Sequence, residues 1–430
     1  MGGKLMKKKL ISTICLSIFA ATLFAGCGSK ATSKEEGVTL KVLTHRTDII
    51  DTTLKEIGDE YYNKTGVKIE WEGITDYEGV VKTRMNTNDY GDVLNILPAI
   101  TAEELSQFFE PLGTVEELKD YRSINQRADK DTVYGIPNGL GANGIVYNKK
   151  VVAQAGYNEF PKTLDELYDL ADKLAKLGGV VPLAINSKDK WPLGQYDSVA
   201  TVAYGTPYYY RDMGKMDNVL LSGKATGDVL EILYKFVSSG WVEGDLTTTN
   251  WEQSKVDMAN GKIAMMALGM WAVPQVQGLS SSPEDIGIAP FPTNNTGKLK
   301  AEAGPDQYIA VSKHSKYKEE AIDFVKFYTT SGYADKEGLI PSSTKQESTN
   351  PVVKGYMNSG VELMFSDPAE TDQAASDLTT NIAADAGIKF WEGTYIQEAV
   401  IAAKKSRADF ESVVNKYNDN WQKSKEKLSK

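Results

Sequence analysis

Cysteine and histidine are almost missing from this 430-residue sequence, which holds two of each. Cys15 lies inside an apolar N-terminal run and Cys27 just beyond it. Removal of that run leaves one thiol, so neither a disulfide nor a thiolate metal site can form. With His45 and His314 the only imidazoles, a transition-metal cluster or a histidine-activated nucleophile has little to draw on. Positive charge is also short, since 48 Lys and Arg face 58 Asp and Glu for a formal net charge of -10. Nucleic acid needs a basic footprint, so the composition excludes it as a partner. No internal repeat is visible, and no low-complexity stretch apart from Gly28 to Gly37. Nothing in the pattern calls for a cofactor or a metal.

What is present begins with an export signal: Lys4, Lys7, Lys8 and Lys9 without an acid, the apolar run Leu10 to Phe24, then Ala25, Gly26 and Cys27. The run is too short, and ends in residues too small, for a membrane-spanning helix. The segment resembles a bacterial lipobox, with Phe24 where that pattern usually has leucine. That resemblance implies cleavage after Gly26 and lipid attachment at Cys27; the alternative is an ordinary secreted protein with an incidental cysteine. Loss of Met1 to Gly26 removes the four lysines and makes the remainder more acidic still. Cys27 to Gly37 reads as a solvated tether, with order expected from Val38.

Beyond the tether the hydrophobic period alternates between strand and helix. Val38 to Leu43 alternates as a half-buried strand, Asp48 to Asn63 carries Ile50, Leu54, Ile57 and Tyr61 at helical spacing, and Gly66 closes that helix. Val67 to Gly73 and Val93 to Leu97 are further strands. Such alternation calls for a parallel sheet covered by helices, with ligands outside the carboxyl ends of its strands. A second set follows Tyr134: a strand at Gly144 to Asn148, a helix from Thr163 to Leu177 with a Thr163/Glu166 capping box, and strands at Val180 to Ile185, Lys262 to Leu268 and Asp285 to Ala289. Ser315 is expected to cap a helix through Tyr328, and the chain from Tyr395 onward to be helical.

At this level the residues resemble the extracellular solute-binding proteins of carbohydrate ABC importers, the maltose-binding-protein-like family. The resemblance rests on Tyr134-Gly-Ile-Pro-Asn, Gly144-Ile-Val-Tyr-Asn-Lys, Ala155-Gly and Phe160-Pro-Lys-Thr-Leu-Asp-Glu-Leu in that order and spacing. Met258-Ala-Asn-Gly-Lys-Ile-Ala-Met-Met-Ala-Leu-Gly-Met-Trp and Asp285-Ile-Gly-Ile-Ala-Pro-Phe-Pro extend it over nearly the whole chain. It implies an α/β fold of type II with two lobes, each a mostly parallel sheet flanked by helices, and a cleft between them. By that analogy Val38 to Gly141 plus Pro292 to Ser342 form the first lobe, and Ala142 to Phe291 plus Ser343 to Lys430 the second. It further implies a monomer that captures a sugar or oligosaccharide, delivers it to membrane permease subunits and is not an enzyme.

A sugar site needs flat apolar surface for ring C–H faces and a fringe of donors and acceptors for hydroxyls. Trp271 follows a strand and Gly269, where the family places a tryptophan against its ligand; it is a stacking platform or interdomain core. Trp191 follows the strand ending at Ile185, and Trp391 precedes the last helical region; each reads as a ligand contact or as loop packing. Trp71 alternates with Val67 and Ile69 and reads as core. The first strand runs into His45-Arg-Thr-Asp, a loop that in the resembled family contributes polar contacts, so Arg46 and Asp48 are candidates, Asp48 otherwise capping the next helix. Asn95, Asn143 and Asp306 sit at strand ends or crossings and are candidates, unless they are merely solvated.

Gly139-Leu-Gly-Ala-Asn-Gly144 has the glycine spacing of a dinucleotide loop, but it leads into a strand, whereas that fingerprint opens a helix. These glycines are expected instead to let backbone pass close to ligand and hinge. Two rivals stand beside solute capture of sugar. One is a surface-anchored glycoside hydrolase, although no carboxylate pair is marked out by its surroundings. The other is the same fold with an iron chelate, polyamine or peptide as cargo, to which Tyr208-Tyr-Tyr210 would contribute, although three adjacent residues cannot all point at one ion.

Overall fold

The computed structural model describes residues 37–366 and 372–429. The signal, Cys27 and all of the tether but Gly37 lie outside these residues. The first strand, β1 (Thr39–Thr44), lies beside β2 (Lys68–Gly73) on one edge and β3 (Val93–Asn95) on the other, both parallel to it. Between β1 and β2 the helix Lys55–Thr65 ends at Gly66, whose φ of 78° is the left-handed conformation that suits glycine after a helix. That helix buries Ile57 and Tyr61 on the sheet. Its lead-in, Ile50–Leu54, is a π-helical turn whose cap position is Ile49, so Asp48 is not its cap.

A small ribbon follows, with β4 (Gly113–Thr114) and β5 (Ala128–Asp129) on either side of β6 (Thr132–Val133). The chain then enters β7 (Ile136–Pro137) and β8 (Leu140–Asn148). β7 closes the first sheet, of order β2-β1-β3-β13-β7, in which β13 (Tyr308–Val311) runs antiparallel to β3 and β7. β8 belongs to the second sheet, which also holds β9 (Val181–Ala184), β10 (Ile263–Gly269), β11 (Ile286–Ala289), β12 (Lys300–Pro305) and β14 (Glu362–Met364). This sheet is mostly parallel, as expected, with one exception: β9, β10, β11, β12 and β14 share one direction, and β8, which enters from the first sheet, runs antiparallel to β10, β11 and β12. β10 is buried at all seven positions, the continuous apolar run of a strand covered on both faces.

Each sheet has its own core. Leu40, Val42, Ile57, Val93, Ile309, Phe324 and Val325 pack together on the first, and Leu167, Leu170, Leu233, Phe236, Ile396 and Trp421 on the second. Trp71 sits at the rim of the first core with its ring 5.9 Å from those of Phe324 and Tyr328. The capping box at Thr163 opens the helix Leu164–Leu177, with both reciprocal hydrogen bonds formed. The later helix Lys318–Tyr328 has Tyr317 at its cap; Ser315 instead donates to Asp92 at 2.7 Å and accepts from the Tyr317 N–H. The C-terminal region is two helices, Thr394–Ala403 and Arg407–Leu428, divided by Ser406, whose side chain caps the second.

Three segments run side by side where the chain changes sheets. The Asn138 N–H donates to the Gln307 carbonyl, the Asp306 N–H to the Gly139 carbonyl, and Leu140 and Ile340 exchange both backbone bonds at 2.8 Å. Gly139 allows the approach, since a Cβ there would stand 2.9 Å from that of Leu339. Within the stretch Pro292 to Ser342, β12 pairs in the second sheet and β13 in the first, so the chain crosses at Asp306 and Gln307.

Candidate functional site

The carboxyl ends of β1, β2 and β3 and the crossing segments open on a common hollow. A cavity of about 470 Å³ is lined from the first sheet's side by His45, Arg46, Asp48, Lys336 and Glu337, from the crossing by Asp306, and from the second sheet's side by Trp271, Pro274 and Gln275. It continues past His45 into a hollow bordered by Asp76, Tyr77, Glu78 and Gln307. Arg46, Asp48, Trp271 and Asp306, which the sequence pointed to separately, are thus brought to one place.

Arg46 is held on three sides. Its Nε and Nη2 donate to Asp48 at 2.9 and 2.8 Å, Nη2 also reaches Glu337 at 2.7 Å, and Nη1 donates to the Tyr333 hydroxyl at 3.3 Å. Burial works against the guanidinium charge, but the hydrogen bonds to Asp48 and Glu337 outweigh it and keep the pKa above its ordinary value. The same bond holds the Asp48 carboxyl below the usual range. Asp306 faces the open cleft yet is surrounded by protein behind, and this desolvation raises its pKa while His45 and Arg46 pull it down. Burial lowers the pKa of His45 despite nearby Asp306, which favours a neutral ring. That ring lies 6.0 Å from Tyr77, edge to face.

Asn95 stands behind this surface. It is 5% exposed, its amide lies 3.3 Å from His45 Nδ1, its side-chain oxygen accepts from Asn138, and its backbone exchanges hydrogen bonds with the Tyr77 hydroxyl. It orients His45 and Tyr77 from within.

The opposite side is aromatic. Trp191, Trp251 and Trp271 form a cluster with ring separations of 5.1, 5.7 and 6.0 Å. Each sits at a helix start: Trp191 opens Trp191–Tyr204, Trp251 opens Trp251–Ala259 behind an Asn250 cap, and Trp271 precedes Ala272–Gln277. Gly269 makes room, because a Cβ there would come within 2.6 Å of the Trp271 indole and 2.8 Å of the Asn143 side-chain oxygen. Asn143 lies beside Trp271, its amide donating to Ser198 at 2.8 Å, and Ser198 donates on to Glu302 at 2.5 Å. Trp391 lies at the first turn of Trp191–Tyr204, 48% exposed, its ring 5.2 Å from Tyr210 and its N–H donating to Asp197. Tyr208, Tyr209 and Tyr210 diverge: Tyr208 lies under Arg211, Tyr209 bonds Thr226 and Tyr210 bonds Asp197. Among the described residues no group of three His, Cys, Asp or Glu is arranged to hold a metal ion.

Residues 47–335 match the bacterial extracellular solute-binding protein family. The chain belongs to that family. Among curated relatives it is 26% identical over 364 residues to the multiple sugar-binding protein of Streptococcus mutans, covering 80% of this chain and 85% of that one. Among solved structures it is 30% identical to an ABC-transporter binding protein of Bifidobacterium animalis subsp. lactis in complex with mannobiose, with a TM-score of 0.72 and coverage of 91% and 95%. A manno-oligosaccharide-specific solute-binding protein of the same organism, in complex with mannotriose, is 28% identical with the same TM-score and coverage. The fold is accordingly the two-lobed α/β architecture of periplasmic binding proteins, and the family's role places it on the extracytoplasmic side.

The sequence reading passed over His45, Trp251, Gln275, Glu337 and Asp197. Trp251 carried a local signal of its own, a tryptophan directly behind Asn250, whose side chain caps the helix. Asp197 was visible as a lone carboxylate among Leu193, Tyr196, Ala200 and other apolar residues of one helix. Glu337 gave no local sign, since its partner Arg46 is 291 positions away.

Proposed function

We propose that this protein is the substrate-binding component of an ABC importer that captures a sugar or oligosaccharide between its lobes and delivers it to the membrane permease. The observation that carries this reading is the cavity at the crossing segments, where the Trp271 indole shares one space with Arg46, Asp48, Asp306 and Gln275. An indole offers a face to the C–H side of a pyranose, and the carboxylates, amide and guanidinium meet hydroxyls at its rim. The ligands named for the relatives from Streptococcus and Bifidobacterium support the same class of cargo.

The first lobe is Val38 to Gly141 plus Asp306 to Ser342, and the second Ala142 to Pro305 plus Ser343 to Lys430, since β12 pairs in the second sheet and moves the boundary from Pro292 to Asp306; the chain passes between them before β8 and after β12. Solute favours the closed form through contacts it makes only there. A lipid on Cys27 keeps the monomeric receptor beside its permease, and the protein does no chemistry on its cargo.

A thermal-shift panel of mannobiose, mannotriose, raffinose and chitobiose against the protein lacking Met1 to Gly26 tests the reading, because a ligand that binds only the native form raises its melting temperature. The best hit should also compact the protein in solution scattering and be recovered intact after incubation. Absence of any shift across the panel would count against sugar as cargo, and cleavage of the recovered sugar would establish the hydrolase reading instead.

A further inference from the structure

We propose that Asp197 is a positioning residue which fixes Trp391 as a second aromatic contact for the solute, at a set offset from the Trp191, Trp251 and Trp271 cluster. This rests on the reading of the cleft given above.

Asp197 is fully buried in the helix Trp191–Tyr204, and among the described residues no cation pairs with it. Its Oδ1 accepts from the Tyr395 hydroxyl at 2.6 Å and the Tyr210 hydroxyl at 3.0 Å, and its Oδ2 accepts from the Trp391 N–H at 2.6 Å. A buried carboxylate without a counter-ion is costly unless its hydrogen bonds are complete. Here every donor but one is a tyrosine of the surrounding core, and the exception is the backbone of Trp391.

That backbone is itself unusual. Trp391 has φ of 68°, the left-handed region that a bulky residue occupies only when its surroundings force it there. Gly194, one turn into the helix, leaves the space: a Cβ there would lie 2.0 Å from the Trp391 carbonyl oxygen. Gly393, at φ 71°, would place a Cβ 2.2 Å from the Lys190 carbonyl oxygen. The segment from Lys389 to Gly393 is therefore clamped flat on the first turn of the helix that Trp191 opens. The clamp leaves the Trp391 indole half in solvent. A large aromatic held in a costly backbone conformation and then left unburied is not explained by packing; it is explained by a flat partner that arrives later. Because Asp197 and Trp191 share one helix, the carboxylate also sets the distance between the two indoles.

The test labels the protein with 5-fluorotryptophan and assigns the Trp391 and Trp191 fluorine signals with Trp391→Phe and Trp191→Phe. In Asp197→Asn the Trp391 signal should shift or broaden while that of Trp191 stays in place. Tyr395→Phe, which removes one of the three donors and keeps the packing, should produce a smaller change of the same kind. With mannotriose as probe, Asp197→Asn should weaken binding at least fivefold when Trp391 is present and less than twofold in a Trp391→Ala background. An unmoved Trp391 signal in both variants overturns the proposal. So does an equal loss of affinity with and without Trp391, which would assign Asp197 to the core alone. If mannotriose binds no variant, the choice of cargo falls, while the fluorine signals still decide whether Asp197 positions Trp391.

Discussion

On the first sheet's side of the cavity the residues hold one another. Arg46 is tied to Asp48, Glu337 and Tyr333, and His45 is steadied by Asn95 from behind. On the second sheet's side the indoles touch one another and are aimed by backbone, through helix starts, Gly269, Gly194 and a buried Asp197. The first wall is rigid by charge and the second by shape. It follows that the first wall fails through an exposed imbalance of charge when one member is removed, whereas the second fails locally, one ring at a time.

The largest expected effect is therefore at Arg46. Glu337 has only 9% of its side chain exposed, so Arg46→Ala leaves a nearly buried carboxylate without its partner, and a loss of about 3 kcal/mol in unfolding free energy is expected. Urea titration of Arg46→Ala and of the double variant Arg46→Ala/Glu337→Gln checks this, the double variant recovering at least half of the loss. Next comes Asp197, whose burial raises its pKa to about 6 against 3.8 in the unfolded chain. Folding thus favours the protonated form: the cost of ionising Asp197 is fully present above the folded value and disappears below the unfolded one. Wild type should gain about 2 kcal/mol relative to Asp197→Asn between pH 7 and pH 4. Paired urea titrations at the two pH values measure it, and a constant gap would mean that Asp197 carries no such penalty.

The contrast between the walls also explains how much could be read from the chain. Strands and helices with one dominant face, such as Thr39–Thr44 and Leu164–Leu177 with its capping box, were legible because pattern and cap are local. The direction of β8 was not, because alternation tells which face of a strand is buried and says nothing of its neighbours. The indoles were partly legible, since Trp191 and Trp271 come after β9 and β10 and so mark the carboxyl end of a sheet; Trp251 comes after the helix Ala225–Ser238, and only its Asn250 cap marks it. The charged wall was legible only at Arg46, Asp48 and Asp306, because Glu337 and Lys336 arrive from the far end of the first lobe. Asn95 shows the opposite failure, a polar residue at a strand end that looks available and is covered by Tyr77 and Asn138.

Trp271→Ala should cost the best sugar ligand a factor of ten or more, about 1.4 kcal/mol, with little change in melting temperature, since the ring is only partly buried and its neighbours Trp191 and Trp251 remain in contact. Calorimetric titration reads it; an unchanged dissociation constant removes Trp271 from the site.

Asp48 gives the smallest effect on the fold and the sharpest test of the comparison. It shares the Arg46 guanidinium with Glu337, yet 62% of its side chain is exposed. An ion pair so well solvated is worth about 0.5 kcal/mol, so Asp48→Asn should leave unfolding almost unchanged where Arg46→Ala does not. Its effect should appear in binding, because a carboxylate in the cavity accepts from two hydroxyls and an amide from one side only. A twofold to fivefold weaker sugar at unchanged stability would show that the charged wall divides its labour, with Glu337 anchoring Arg46 and Asp48 facing the solute. A large loss of stability with unchanged binding would show that both acids serve the fold and that the solute is held from the aromatic side.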